Sequence, residues 1–502
     1  MTDILLTALN SKYIHCAFGL RYLYANLGDL QVRAKIHEFT IHERPLDIVE
    51  KIMEHNAKIV GFSVYIWNVV EVGQCIKLLK QIQPDVKVVI GGPEVSHYPD
   101  VPDWFDMVDY CITGAGELQF KTLCKQLLNN QKPLERVIAG IELPLEQLNM
   151  PYEFYDDTDI KNRILYVEAS RGCPFKCEFC LSSLDKTSKS FSIDLFLIEM
   201  DKLIQRGASH FKFIDRTFNL KVKTTVAILE FFLERLSDDM SIHFEVVPDR
   251  LPEKLREVLA RFPEHVLQFE IGVQTFDPEI QDLISRKQNN DKTCENITWL
   301  RQNTKAHIHA DLIFGLPGDS LDNFAKSFDK LVTLNPQEIQ LGILKRLRGA
   351  PINRHTEEYQ MVYNQSQPYN ILSTRDIDYV TLQRVNRFAR FWDMIGNSGR
   401  FPHTKHIIFG STPFANFMQL SDNLYKTEGS SWKISLRRLF KMLYQQLIDV
   451  LHLNEDVVFL TLEKDFKHCN EKGHLANLLS LQNKSVKTAS RNKRQKQHKK
   501  EC

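Results

Sequence analysis

The chain is 502 residues long, 43% hydrophobic and 25% charged, with a formal net charge of +1. That length and apolar fraction suit a large soluble enzyme of about two to three domains, and no apolar run approaches the roughly eighteen residues that a membrane span requires. The N-terminal Ile4–Leu9 run is too short and wrongly flanked for a signal peptide. Ten cysteines without framework spacing suit the reduced thiols of the cytoplasm. Charge is uneven along the chain. Lys484 to Lys500 holds eight Lys/Arg and no acid, leaving the rest net acidic. This Lys-, Asn-, Gln- and Ser-rich stretch has little to bury and reads as a disordered basic tail over 483–502, either a solvated terminus or a nucleic-acid tether.

Residues 1–130 alternate strand and helix. The pattern predicts strands at Ile4–Leu9, Val32–Ile41, Lys58–Trp67, Val86–Ile90 and Tyr110–Thr113, with helices at Ala17–Leu27, Pro45–His55 and Val69–Gln83 and another after Thr113. Almost uninterrupted apolar strands between helices predict a parallel sheet covered on both faces, a doubly wound Rossmann-like α/β domain. Two glycine-bearing turns, Gly91-Gly92-Pro93-Glu94 and Gly114-Ala115-Gly116-Glu117, leave carboxyl ends of strands, where such sheets place ligands. Glycine there permits close approach and positive φ. No Gly-x-Gly-x-x-Gly opens a helix, so neither turn is a dinucleotide fingerprint. Residues 131–163 read as a linker.

From residue 164 the strand–helix repeat resumes, with strands at Ile164–Ala169, Phe211–Asp215, Ile242–Val247, Leu267–Gln274, Ile308–Phe314 and Glu338–Leu344. Six repeats over 164–345 predict a partial, open (β/α)6 barrel, with its site at the carboxyl ends of the strands. There the first strand enters Cys173-Pro174-Phe175-Lys176-Cys177-Glu178-Phe179-Cys180. Three thiolates can hold three irons of a [4Fe–4S] cluster. An iron left without a protein ligand is open to a reactant, just as an open position separates catalytic from structural zinc. The other reading, a zinc knuckle, needs a fourth ligand, and no His or Cys follows Cys180 before His210.

The Cys-x3-Cys-x2-Cys spacing, with an aromatic before the last Cys, resembles the signature of the radical S-adenosylmethionine (SAM) superfamily. That resemblance implies that the open iron chelates SAM. An electron from the cluster, supplied by a donor such as flavodoxin or ferredoxin, then cleaves SAM to a 5′-deoxyadenosyl radical. Gly272-Val273-Gln274 and Asp311-Leu312-Ile313-Phe314-Gly315-Leu316-Pro317-Gly318 are similar to the coproporphyrinogen dehydrogenase branch. The likeness implies that Asp215, Arg216 and Thr217 hold the SAM amino group and that Arg286 pairs with its carboxylate, a task suited to a guanidinium fork. Gln274 and Asp311 would read the ribose and nearby polar atoms, with Glu245 beside them. The Asp215–Thr217 run departs from the Gly-Gly-Glu form of many relatives.

In the N-terminal region Asn10-Ser11-Lys12-Tyr13-Ile14-His15, Gly61-Phe62-Ser63-Val64-Tyr65-Ile66-Trp67-Asn68 and Gly91-Gly92-Pro93-Glu94-Val95-Ser96 resemble the cobalamin-binding domain of B12-dependent radical SAM proteins. By that resemblance Gly91, Gly92, Pro93, Glu94, Gly114, Gly116 and Glu117 surround the corrin ring and its nucleotide tail. No Asp-x-His-x-x-Gly motif occurs, and His15 before Gly19 lacks the Asp and the spacing, so the lower cobalt face is expected to be without a His ligand.

Helical periodicity over Asp376–Ile395 and Trp432–Leu453 predicts a mainly helical domain over 346–482. Leu341–Lys345, Pro368–Leu372 and Asn397–Phe401 resemble the C-terminal domain of one B12-type radical SAM subgroup with no assigned reaction. His355, Tyr359, Tyr369, Arg400 and His403 are its candidates for a substrate-facing wall. The expected function is a B12-dependent radical SAM enzyme that methylates an unactivated carbon. Ring contraction or another radical rearrangement on the same scaffold stays open, and so do two further alternatives. A methylthiotransferase acting on tRNA or protein would need a second cluster, for which Cys16, Cys75, Cys111 and Cys124 are the available thiols. A non-catalytic cobalamin or redox sensor would use its cluster structurally.

Overall fold

The computed structural model describes residues 2–480, so the basic tail at 483–502 lies outside the described residues. The described residues divide into two compact units, one ending at Leu382 and the other starting at Gln383.

The first unit opens with six parallel strands in the order β2-β1-β3-β4-β5-β6. They are β1 (Ile4–Asn10), β2 (Ala34–Thr40), β3 (Ile59–Ser63), β4 (Lys87–Gly91), β5 (Tyr110–Thr113) and β6 (Val137–Ala139). Helices α1 (Phe18–Ala25), α2 (Pro45–Glu54), α3 (Val69–Ile82) and α4 (Glu117–Leu128) cross between them. Strand alternation divides the burial. Leu5 and Leu9 share one core with Ile48 and Ile52 of α2 and Val72, Ile76 and Leu79 of α3. Ile4, Leu6 and Ala8 share the opposite core with Leu20 of α1 and Phe120 and Leu123 of α4. Each such aliphatic side chain, fully withdrawn from water, contributes about 1.5–3 kcal/mol. This two-sided burial makes the strands read as continuous apolar runs.

Two expectations change here. The strand expected over Lys58–Trp67 ends at Ser63. Asn68, 1% exposed, donates to the carbonyls of Leu9 (3.0 Å) and Ser63 (3.1 Å) and accepts from the Tyr65 amide (2.8 Å). It thereby folds Val64–Trp67 into a turn. Residues 131–163 are also more than a linker. β6 adds to β5 as a sixth strand, and α5 (Asp157–Asn162) starts from a capping box in which Asp156 and Asp159 each accept the other's backbone N–H.

The second sheet, also parallel, runs β14-β13-β12-β11-β10-β7. It comprises β7 (Leu165–Val167), β10 (His210–Phe213), β11 (Ser241–Val246), β12 (Leu267–Gln274), β13 (His307–Phe314) and β14 (Glu338–Ile343). Between β7 and β10 the short antiparallel pair β8 (Ser170–Arg171) and β9 (Lys189–Ser190) closes the cysteine loop. Helices α6 (Ile193–Gln205), α7 (Val222–Leu233), α8 (Glu253–Leu259), α9 (Pro278–Leu283), α10 (Asn290–Asn303) and α11 (Leu321–Leu334) make the crossovers, so the six-strand half-barrel is present. β12 and β13 alternate strictly between buried and half-buried residues. Leu267, Phe269, Ile271, Ile308, Ala310 and Leu312 are buried, and the intervening positions are mostly polar. A small antiparallel pair, β15 (Val362–Tyr363) with β16 (Ile371–Ser373), follows the last barrel strand.

Helix α12 (Tyr379–Trp392) spans the division between the units, and a π-helical turn continues it over Asp393–Asn397. The second unit is otherwise α13 (Thr404–Phe409), α14 (Pro413–Glu428), α15 (Leu436–Asp449), α16 (Glu455–His468) and α17 (Leu475–Ser480). Its core is aromatic, with Phe388 stacked on Phe414 (4.9 Å) and Trp392 edge-on to Phe417 (5.1 Å). Asp465, fully buried, accepts from the His403 and Thr404 amides and the Thr404 hydroxyl at 2.6–3.1 Å, fixing the start of α13.

Candidate active site

A cavity of about 610 Å³ opens at the carboxyl ends of β1, β3, β4 and β5. Its floor is apolar, built by Leu6, Ala8, Val89, Ile112 and Phe120, and its rim includes Asn10, Ser63, Gly91, Gly92, Gly114, Gly116 and Glu117. Gly92 sits at φ +112°, and a Cβ there would stand 2.5 Å from the Val64 carbonyl oxygen. Gly114 sits at φ +67° with nothing within 4 Å of where a Cβ would lie. The rim also holds the buried Ser63 hydroxyl, which has no hydrogen-bond partner. An apolar cleft with bare glycine backbone and an unsatisfied hydroxyl at its edge fits a large organic cofactor with polar substituents.

Pro93 and Glu94 do not line this cavity. Glu94 is buried at 3% exposure and accepts from Arg348 Nε (2.7 Å) and the Tyr369 hydroxyl (2.6 Å). Glu117 does line it and accepts from Arg171 Nη1 at 2.8 Å. Arg171 also donates to Glu168 (2.9 Å) and lies over the Tyr22 ring (4.4 Å), and burial pushes the Glu168 carboxyl up. His15 is the single imidazole among the lining residues. Its Nδ1 is 2.8 Å from the Tyr166 hydroxyl, and burial, then Lys212, Lys12 and Arg163, hold its pKa below the usual value.

The second cavity, about 250 Å³, gathers Cys173, Cys177, Cys180, Arg216, Thr217, Glu245, Gln274, Arg286 and Asp311. The loop is shaped by Gly172 at φ +86°, where a Cβ would meet the Thr187 carbonyl at 2.4 Å, and by the Cys173 amide donating to Asp185 O (3.0 Å). Burial raises the Cys173 and Cys177 thiols, and the Arg286 guanidinium pulls Cys177 partly back. Arg286 Nη1 lies 3.5 Å from Cys177 Sγ. Its Nε donates to Gln288 (3.1 Å) and its Nη2 to the Gly272 carbonyl. Among the described residues no three His, Cys, Asp or Glu converge as a single-ion site. Three cysteines around one cavity suit a polynuclear iron–sulfur cluster instead.

Around them, Arg216 Nη1 bridges both Glu245 oxygens at 2.7 and 2.8 Å. Gln274 takes a positive φ of 69° where the β12–β13 register shifts, a backbone state that for a non-glycine residue marks local strain. Asp311 is pushed up to about 8 by burial and by Glu270 and Glu245. Its Oδ1 is buried without a hydrogen-bond partner, so the cavity keeps an unsatisfied polar atom for a ligand. Asp215 stands apart. At 2% exposure it faces away from this cavity and accepts from the Ala169 amide (3.0 Å) and the Ser170 hydroxyl (2.5 Å), and burial pushes it up to about 7.

Sequence reading passed over Lys212, His243, Glu270 and His309. The barrel register places them on adjacent strands. His243 Nε2 is 3.0 Å and Lys212 Nζ 3.6 Å from Glu270 Oε2, and the His243 hydrogen bond holds Glu270 down to about 2. His309 Nε2 lies 3.5 Å from Asp311 Oδ1. The signal was available in Leu-Gln-Phe-Glu-Ile-Gly-Val-Gln and His-Ile-His-Ala-Asp-Leu-Ile-Phe, whose period-2 alternation leaves one face polar. Of the C-terminal candidates, His355 is buried against Glu178 (2.9 Å), Tyr359 packs edge-on against His355 (5.8 Å), and Tyr369 holds Glu94. Arg400 is exposed and, with His403, belongs to the second unit.

The fold and the two cavities define a two-cofactor α/β protein, a Rossmann-like ligand domain joined to a half-barrel with a cysteine loop. Comparison with known families agrees. Residues 4–123 match the B12 binding domain, 167–331 the radical SAM superfamily and 357–502 a protein family of unknown function (DUF4080). The chain thus carries a B12-binding domain followed by a radical SAM domain. An uncharacterized methyltransferase of Pyrococcus horikoshii is 24% identical over 56% of this chain and 67% of its own length. The cobalamin-dependent radical SAM methyltransferase TokK of Streptomyces tokunonensis is 22% identical over 59% of this chain, and the chain spans only 48% of it. The structure of the cobalamin-dependent SAM radical enzyme OxsB, with aqua-cobalamin and SAM bound, superposes with a TM-score of 0.61 at 15% identity, covering 99% of this chain and 83% of that one. That likeness shows the fold.

Proposed function

We propose that the chain is a cobalamin-dependent radical SAM methyltransferase acting on an unactivated carbon. One observation carries this reading. Tyr166, Glu168 and Arg171 line the larger cavity, and Cys173, two residues further on, lines the smaller one. A single short stretch of chain thus forms a wall of both cofactor sites and holds them side by side. Cys173, Cys177 and Cys180 would hold a [4Fe–4S] cluster, with Arg286, Arg216, Thr217, Glu245, Gln274 and Asp311 around SAM and the glycine rim around the corrin. When bound, these groups supply the electron and sulfonium for radical formation and a transferable methyl.

The residues themselves bind and orient. Arg286 brings a guanidinium to the cavity, its Nε and Nη2 held by Gln288 and Gly272, and would offer that charge to a carboxylate. Asp311, displaced to about 8, offers a proton to a ligand acceptor near neutral pH. The polar wall of Lys212, His243, Glu270 and His309 supports a substrate that carries hydrogen-bonding groups.

For a methylthiotransferase, the N-terminal thiols are poorly placed. Cys16, Cys75, Cys111 and Cys124 are all buried, and burial raises each of them. Relatives of that class exist, among them a ribosomal protein uS12 methylthiotransferase of Pseudothermotoga lettingae, 28% identical over 34% of this chain. An electron donor such as flavodoxin or ferredoxin is expected. The test is anaerobic reconstitution followed by analysis of SAM products under reducing conditions. Formation of both S-adenosylhomocysteine and 5′-deoxyadenosine supports the proposal. A protein that takes up cobalamin and iron yet forms neither is a sensor, and the proposal falls.

A further inference from the structure

The segment between the last barrel strand and β16 touches both the chain just past the Gly91-Gly92 turn and the cysteine loop. It leaves β14 with the Leu344 amide on Phe314 O (2.9 Å) and returns with the Ile371 amide on Leu344 O (2.9 Å), while the Arg346 amide donates to Tyr369 O (3.0 Å). These bonds close it into a strap. On one side Arg348, 10% exposed, pairs with the buried Glu94 at 2.7 Å and also with Asp100, and Tyr369 donates to Glu94 at 2.6 Å. Gly349, at φ +78°, packs so closely that a Cβ would stand 2.3 Å from the His97 ring. Glu94 lies two residues beyond Gly92, which is on the rim of the larger cavity.

Six positions further along the strap, the other side grips Glu178, which lies inside the cysteine motif. The Glu178 carboxylate, buried at 4% exposure, accepts from Arg354 Nε (2.8 Å), His355 Nε2 (2.9 Å) and the Ser285 hydroxyl (2.6 Å). Its carbonyl accepts the Ile352 amide (3.0 Å), and its amide donates to Ile284 O (3.1 Å). Ser285 precedes Arg286. One carboxylate therefore ties together the cysteine loop, the residue before Arg286 and the strap.

We propose that Arg348 and Glu178 are positioning residues, through which the strap fixes the glycine rim of the cobalamin cavity relative to the cysteine loop and Arg286 and so couples SAM binding to cobalamin binding. Binding at either end orders the same buried ion pairs, and a packed strap held at both ends transmits that ordering. Coupling of this kind is reciprocal. The inference rests on the reading that both cofactors bind.

The experiment is titration of hydroxocobalamin, by visible absorbance, onto cluster-loaded protein with and without saturating SAM. In the wild type SAM is expected to tighten cobalamin binding about fivefold or more. In Arg348→Ala and Glu178→Gln that factor falls to within about twofold of one, whatever happens to the SAM-free affinity. A merely structural role would alter the SAM-free affinity and leave the factor alone. Tyr369→Phe, which removes one hydrogen bond without a cavity, gives an intermediate factor and covers the case in which Arg348→Ala does not fold. Arg375→Ala, at an exposed arginine just beyond β16 that pairs with Asp376, keeps the wild-type factor. A factor of one in the wild type, or one that survives Arg348→Ala, overturns the strap while leaving cofactor binding intact. Failure of the wild type to bind cobalamin removes the functional reading as well.

Discussion

Asp215→Asn separates a buried tie from a ligand contact. The carboxyl is 2% exposed and joins the end of β10 to Ala169 and Ser170 just ahead of the cysteine loop. Burial moves its pKa from the usual 3.8 to about 7, opposed by the Ser170 and Ala169 hydrogen bonds. Below the unfolded value the group is protonated in both states and its contribution is fully present. As the pH rises toward 7 the unfolded chain ionises first and stability falls. At about 1.4 kcal/mol per pH unit the whole interval is worth about 4 kcal/mol, and about 3 kcal/mol of it falls between pH 5 and 8. Asparagine reproduces the protonated form, its oxygen accepting from Ala169 and its amide donating to Ser170. Urea unfolding followed by circular dichroism should show the wild type losing about 3 kcal/mol more than Asp215→Asn between pH 5 and 8. Asp311 and Asp319, both pushed up to about 8, are common to the two proteins and cancel in the difference. Parallel pH dependence of the two proteins would refute the reasoning.

Replacing Cys177 by Ala should reduce the iron content from about four per chain to near zero while leaving hydroxocobalamin uptake measurable, and retained iron would move the cluster elsewhere. Arg286→Lys keeps the charge but loses the fork, so SAM affinity measured by equilibrium binding should drop about tenfold, or about 1.4 kcal/mol. An unchanged dissociation constant would take Arg286 out of the SAM site. Gly92→Ala forces a side chain into φ +112° and within 2.5 Å of the Val64 carbonyl, a strain of about 1–3 kcal/mol. The expected result is a lower melting temperature together with weaker cobalamin binding, and no change in either would show a slack turn.

The strands that build both sheets were legible because their patterns are long and regular. β12 was placed to the residue, since eight alternating positions end in a polar one. Where local and tertiary signals compete, the sequence was ambiguous. Val64-Tyr65-Ile66-Trp67 has strand propensity, yet the buried Asn68 turns it out of the sheet. β6 is only three residues long, too short for periodicity to register. Gly92 and Gly114 were readable as rim positions because backbone freedom is a property of the residue itself. Glu94 was not readable in the same way. Its partner Arg348 is 254 positions away, and the Glu178–Arg354 contact spans 176, so a motif can be seen in sequence while the destination of its side chains cannot.

The two cavities differ in kind, and the difference follows from how each sheet is covered. The first sheet is sealed by helices on both faces, so its cleft opens between apolar residues such as Leu6, Val89 and Phe120 and favours a large, largely apolar surface. In the half-barrel, alternation puts Lys212, His243, Glu270, His309 and Asp311 on the face opposite the buried apolar residues. There neighbouring carboxyls move in opposite directions. Glu270, held by His243 and Lys212, stays ionised to about pH 2, whereas Asp311, more deeply buried and facing two other carboxylates, keeps its proton to about 8. One is a fixed anion that orients its imidazole; the other is a proton donor that makes no hydrogen bond within the protein through Oδ1. A site with that division binds heteroatoms by position, while the adjoining apolar cleft binds by area. The eight residues from Tyr166 to Cys173 are where the two modes of binding meet.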